Sequence, residues 1–329
     1  MVQMFNRKRL PWLDITKAIA MTAVVFSHEF ASVKPLVLLC NSFMLPLFFM
    51  CSGFCLSPGK YEILSYIKRK AKTLLLPYIG LGIIVSLLHV FIDGYDKVMN
   101  NVTVELFSWQ TLWFLPVLFV ADMSLYLILT IWGKSMVKLL VTGVVFLFVG
   151  GFFCMTGIYL PINLEVVPIS VFYLTVGFFL KERLKKISFS YYTISGALLF
   201  VGGFLIMTLT KGNLILKLND IFPMTKLVFS TMEATGIMLI LSSVIIPPPI
   251  LERFKMPIQL LEYIGRNTMV IFAFHMPIFF YYQKLLRPLF NSQLYYKPLE
   301  FILIWGICFL LIPVMNRCAP LLIGKNKRK

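Results

Sequence analysis

Ten apolar stretches of roughly membrane-crossing length fill almost all of this chain of 329 residues, and that removes most folds from consideration. They lie near 12–31, 36–56, 74–92, 112–132, 139–157, 166–180, 191–210, 226–246, 264–283 and 299–316. A helix needs about 20 residues to cross the hydrocarbon layer. Within that layer every backbone N–H and C=O must be bonded inside its own element, so helices are predicted. Hydrophobic residues make up 59% of the chain and charged residues 14%; soluble domains carry about a quarter charged. The expected fold class is all-α, a polytopic membrane helix bundle of about ten transmembrane helices with no soluble domain at either end.

The net charge of +17 reads as topology. With the N-terminus placed in the cytoplasm, 22 of the 31 Lys and Arg residues fall in inside loops and tails and 8 outside, with Lys17 inside the first span. That is the positive-inside bias, and it predicts cytoplasmic N- and C-termini. The basic tail at 325–329 sets topology and meets anionic headgroups, so no nucleic-acid partner is called for. The chain reads as one integral-membrane domain over 1–329, with a core from about residue 10 to residue 320 and basic cytoplasmic tails at 1–9 and 321–329. The first segment has a basic front but no small-residue cleavage site, so it is not expected to be a cleaved signal. Six cysteines (40, 51, 55, 154, 308 and 318) sit in or beside apolar spans without metal-type spacing to histidine; they read as packing residues, with no metal. Pro247-Pro248-Pro249 ends the eighth span, since proline lacks the donor a helix needs. No repeat of fixed period and no pair of Gly/Pro-broken helices in matching halves is evident, which weighs against an inverted-repeat transporter.

The first span carries three ionisable groups, Asp14, Lys17 and His28. Steps of three and eleven residues, at about 100° each, bring them within roughly 60° on one helix face. Eleven rises of about 1.5 Å put Lys17 and His28 about 16 Å apart along the axis. Such groups are costly inside a membrane and mark a functional stripe by default. The plainer reading is a boundary Asp14–Lys17 pair plus a hydrogen-bonded histidine between helices. Glu29 follows His28 directly and points about 100° away.

Further features accompany this stripe. A Ser52-Gly53 step near the end of the second span suits close approach of two helix backbones. The third span is entered through Lys68-Arg69-Lys70-Ala71-Lys72-Thr73; cations there follow the topology and also suit an anionic ligand. Gly265-Arg266-Asn267-Thr268 opens the ninth span, which contains His275 before Pro277. His275 reads as a satisfied interior histidine, and His89 as an interfacial one. Trp109, Trp113 and Tyr159 suit sugar stacking and an interfacial aromatic belt equally.

Taken together, these segments resemble the membrane acyltransferase-3 family, integral proteins that move acyl groups onto cell-surface sugars and related acceptors. The residues carrying the resemblance are Leu13-Asp14-x-x-Lys17 leading to His28, and Leu47-Phe48-Phe49 through Ser52-Gly53-Phe54. Arg69-x-x-Lys72 before Leu75-Leu76-Pro77-Tyr78, Leu112-Trp113-Phe114-Leu115-Pro116, and Gly265-x-Asn267-Thr268 through His275 complete the set, in the family's order across nearly the whole chain. The short form looks most like the branch of fucose and exopolysaccharide O-acetyltransferases.

The resemblance implies a bacterial multi-pass membrane enzyme that takes an acyl group, usually acetyl, from cytoplasmic acyl-CoA. The acceptor it implies is a hydroxyl of a cell-surface or lipid-linked saccharide. It carries over His28 as catalytic, and Lys17 at a position that is Arg or Lys in the family. Arg69 and Lys72 match a pair that is more usually Arg-x-x-Arg, and a lysine in second place loses bidentate phosphate geometry. The spacing accommodates that chemistry: Lys17, Arg69 and Lys72 hold the phosphates of CoA at the cytoplasmic mouth while the thioester reaches inward to His28. His28 then serves as general base or as transient acyl carrier. Asp14 fixes Lys17 through an i,i+3 pair, and Glu29 is a supporting residue that orients His28 or faces the acceptor. The rival class is a transporter or flippase for a sugar or lipid-linked intermediate, with His28 and Lys17 lining its path. A catalytically silent scaffold is a third reading, with no use for their membrane cost.

Overall fold

The computed structural model describes residues 10–93, 112–133, 135–184, 189–209, 224–243, 252–290 and 293–325. Among them there are helices and no strands. In order they are α1 (Pro11–Glu29), α2 (Lys34–Cys55), α3 (Ile63–Lys70), a π turn (Ala71–Leu75) running into α4 (Leu76–Asp93), α5 (Phe114–Trp132) and α6 (Met136–Thr156). A 3₁₀ turn (Pro161–Val166) leads into α7 (Val167–Arg183), followed by α8 (Phe189–Leu209), α9 (Met224–Ser243), α10 (Lys255–Arg266), α11 (Thr268–Leu286) and α12 (Gln293–Cys318).

Each of the ten predicted stretches contains a helix. Seven segments are long and apolar enough to cross a membrane: Lys34–Cys55, Ile63–Leu88, Phe114–Trp132, Met136–Phe153, Pro161–Arg183, Thr268–Leu289 and Tyr296–Cys318. Tyr191–Ile206 and Leu227–Ser243 are shorter apolar helices. α1 stands outside this group because Asp14, Lys17, His28 and Glu29 dilute its hydropathy. Its position makes that tolerable. α1 packs against α2, α9, α10, α11 and α12, and 12 of its 19 residues are buried. A helix enclosed by protein needs no continuous apolar surface for lipid. The lipid-type surface lies elsewhere, in exposed stripes such as Ile79, Ile83 and Leu87 on α4 and Val144, Phe148 and Phe152 on α6.

Two glycine contacts set the spacing of the bundle. A Cβ on Gly53 would overlap the carbonyl oxygen of Leu174, and one on Gly177 would overlap that of Met50. α2 and α7 therefore cross backbone to backbone, as the Ser52-Gly53 step predicted. A Cβ on Gly265 would likewise overlap the carbonyl of Asp14, which seats the end of α10 directly on the start of α1.

Two boundaries differ from the predicted ones. The ninth stretch is two helices, since Asn267 (φ −123°, ψ 19°) breaks the chain between α10 and α11. α10 is amphipathic, with Met256, Leu260 and Tyr263 exposed along one stripe. The third span begins earlier than predicted and passes through a π turn, where Leu76 N–H reaches back five residues to Ala71 O. Pro77 supplies the reason: it has no N–H, and its ring clashes with the carbonyl four residues before it in a regular helix. Thr73 fills part of the gap, its hydroxyl lying 3.2 Å from the Arg69 and Lys70 carbonyls.

Candidate active site

His28 is the one residue of α1 with an exposed side chain; every other position on that helix is buried or partly buried. Its neighbours Ser27 and Glu29 are 7% and 1% exposed, so the imidazole stands open at the end of an otherwise enclosed helix. Facing it is His275 of α11, with ring centroids 5.5 Å apart and planes inclined at 43°. His275 is buried, and its Nδ1 lies 3.0 Å from both the Ile271 and Phe272 carbonyl oxygens. Carbonyl oxygens only accept, so Nδ1 carries the hydrogen and Nε2 keeps a lone pair. That Nε2 is buried without a hydrogen-bond partner among the described residues. The predicted satisfied interior histidine is thus satisfied on one nitrogen only, and it shares its surroundings with His28.

The motif aromatics build the wall behind this pair. Phe114 of α5 packs on Phe49 of α2 (4.8 Å between centroids) and on Phe272 of α11 (5.9 Å), and Phe272 sits one turn before His275. Trp113 is half-buried beside Phe114 and Tyr159 is exposed. Trp109 and the side chain of His89 lie outside the described residues.

Glu29 turns away from His28, as its helical offset requires. Its carboxylate lies 3.0 Å from Lys297 Nζ of α12, and the same ammonium sits 3.1 Å from the Glu300 carboxylate. All three side chains are buried. A lone buried charge is costly and pairing offsets part of that cost, so this triad pins the last turn of α1 to α12. A second buried carboxyl, Glu233 of α9, is hydrogen-bonded by the Ser42 hydroxyl of α2.

The opposite end of α1 is built from cations. Lys17 Nζ donates to Asp14 Oδ1 at 2.7 Å, confirming the i,i+3 geometry. Arg266 of α10 reaches the other Asp14 oxygen at 3.5 Å and also pairs with Glu262. Arg69 is exposed, lies 4.9 Å over the Tyr61 ring and donates to its hydroxyl. Lys72 is exposed on the π turn. Lys70, between them, forms an ion pair with the buried Asp122 of α5. Trp12 of α1 packs edge-on against Phe54 at the end of α2, with ring centroids 5.0 Å apart, which sets the start of α1 beside the end of α2, ahead of the basic run. Of the predicted cations, Lys17 is held by α1 itself, while Arg69 and Lys72 are exposed. Asn267 proves structural: its Oδ1 accepts from Asn316 (2.9 Å) and Lys325 (2.7 Å), tying the α10–α11 break to α12 and the chain after it.

An accessible imidazole, a second imidazole with a bare nitrogen and cations toward the other end of α1 together suit transfer of a group from an anionic donor. The family model described as an acyltransferase domain, of the acyltransferase-3 type, matches residues 10–315. The chain belongs to the acyltransferase-3 family. Neither characterised proteins nor solved structures gave a significant match. As an acyltransferase-3 protein with seven membrane-capable helices, it is a membrane acyltransferase.

Sequence reasoning gave no role to Arg266 and did not reach Asp122, Glu233 or the Lys297–Glu300 pair. A usable signal was present. Asp122, Glu233 and Glu300 are ionisable residues within apolar stretches, the same criterion that singled out His28.

Proposed function

We propose that this protein transfers an acyl group, acetyl in the first instance, from cytoplasmic acyl-CoA to a hydroxyl of a cell-surface or lipid-linked saccharide. It does so as a single domain in the bacterial plasma membrane, with about ten spans and both termini cytoplasmic, in the manner of the fucose and exopolysaccharide O-acetyltransferase branch. The observation that carries this reading is His28: in a chain of this family, the buried central helix exposes one side chain, and it is an imidazole.

The acceptor hydroxyl oxygen attacks the thioester carbonyl carbon while a neutral ring nitrogen of His28 takes the hydroxyl proton. The new C–O bond forms, the C–S bond breaks, and His28 returns the proton to the departing thiolate, so ester and free CoA thiol leave with the enzyme unchanged. Lys17, Arg69 and Lys72 hold the donor's phosphates at the rim, about 16 Å along α1 from the reacting centre. Asp14 orients Lys17, and Glu29, through Lys297, fixes the helix turn that carries His28.

The test is thiol release by the purified, reconstituted protein supplied with acetyl-CoA and the native glycan. Wild type is expected to release free CoA and leave the glycan acetylated by mass spectrometry, while membrane-inserted His28→Ala does neither. A glycan acetylated normally by His28→Ala defeats the mechanism, and a wild type that moves glycan without releasing thiol is a carrier.

A further inference from the structure

We infer that His275 is a positioning residue for His28: its Nε2 accepts the ring N–H of His28 and so fixes which nitrogen of His28 is free to take the acceptor proton. This rests on the acyl-transfer reading and adds to it a residue and a tautomer.

A neutral imidazole has one N–H and one lone pair, and a general base works only if the lone pair faces the hydroxyl. His28 is exposed, and nothing on its own helix selects its tautomer. The buried neighbour most suited to do so is His275, 5.5 Å away centroid to centroid. His275 has no freedom of tautomer, because two carbonyl oxygens of its own helix hold the hydrogen on Nδ1. Its Nε2 is left as a pure acceptor, 3% of the residue being exposed and no partner present among the described residues. A buried acceptor without a donor is costly, and one N–H turned toward it removes that cost. When His28 takes the acceptor proton it carries two N–H groups; one remains with His275 Nε2 and the other is delivered to the thiolate. His275 neither gains nor loses a proton.

The charged groups nearby do not serve this purpose. Glu29 and Glu300 are held by Lys297, and Glu233 is hydrogen-bonded by Ser42.

The experiment uses the full chain in nanodiscs, with thiol release as the rate and ¹⁵N-histidine NMR as the structural readout; with three histidines in the sequence, each signal is assignable by substitution. His275→Phe is expected to lower kcat by about 100-fold, with KM for acetyl-CoA changed by less than about twofold. His275→Gln, whose carbonyl oxygen replaces Nε2 as acceptor, is expected to recover about tenfold of that loss. In wild type the His275 signal should be that of an Nδ1–H ring, and the His28 signal should change from a single tautomer to a mixture in His275→Phe. Wild-type kcat in His275→Phe, no recovery in His275→Gln, or an Nε2–H ring at His275 each overturns the inference. The NMR arm decides the matter even if a variant folds poorly. If wild type releases no thiol, the acyl-transfer reading fails instead, which is a separate result.

Discussion

The two ends of α1 handle charge in opposite ways. At the Lys17 end, Asp14 is buried but its partners are open, the side chains of Lys17 and Arg266 being 27% and 43% exposed. Arg69 and Lys72 add further cations on the rim. At the His28 end, Lys297 lies between Glu29 and Glu300 with all three buried, so none of these groups faces solvent. Exposed cations attract and release an anionic ligand at little cost, and salt screens them. Buried pairs bind nothing; they hold helices in place, and removing one partner is expensive. On the proposed function, the comparison separates a region that would meet a donor from one that keeps an imidazole where it stands.

Four measurements would break or sharpen this contrast. The largest expected effect is at the chemical centre, where His28→Ala should lower kcat by about 10³-fold while membrane insertion is unchanged, measured by thiol release. Next comes Lys297→Met, which leaves the two buried carboxyl groups of Glu29 and Glu300 without their cation. It should destabilise the protein by about 3–5 kcal/mol, seen as early thermal unfolding in detergent; retention of wild-type stability would mean that the triad does not anchor α1. Arg69→Ala should raise KM for acetyl-CoA about tenfold with a smaller change in kcat, and the reverse split contradicts a phosphate role. The smallest effect is that of ionic strength. Going from 0.05 M to 0.5 M salt should raise KM for the donor roughly threefold and leave the unfolding temperature nearly constant, because screening reaches the rim but not the triad. A KM insensitive to salt would move donor binding away from Arg69 and Lys72.

Much of the bundle was legible because a membrane helix announces itself locally. Uninterrupted apolar runs gave one helix in each of the ten stretches, and the i,i+3 offset gave the Asp14–Lys17 pair that the structure holds at 2.7 Å. The Gly53 notch was legible for the same reason, since a small residue in an apolar run has few other uses. What could not be read were partners far apart in the chain. Glu29 meets Lys297 and His28 meets His275 only after α1 is enclosed by α11 and α12, and no spacing rule connects positions so distant. α10 was missed because its twelve residues follow proline-rich chain and its apolar stripe is short, so most of it fell in the polar connection before the ninth stretch. His275 shows the limit most plainly. As a single histidine among aromatics it reads as packing, and only the bonded Nδ1 with the bare Nε2 makes it part of a site.

The π turn before Pro77 has its own consequence. A π turn holds one residue more than a regular turn, so it works as a swivel between the basic face of α3 and the apolar face of α4. Restoring ordinary winding over 71–75 with every residue kept, as Pro77→Ala allows, would rotate everything upstream by about one residue's step, about 100°, relative to α4. Lys70 would then swing off Asp122, and Arg69 would face a different quarter of the rim, with no charge added or removed. A Pro77→Ala protein that still inserts but has lost its grip on the donor would show that the direction of those cations counts as much as their number.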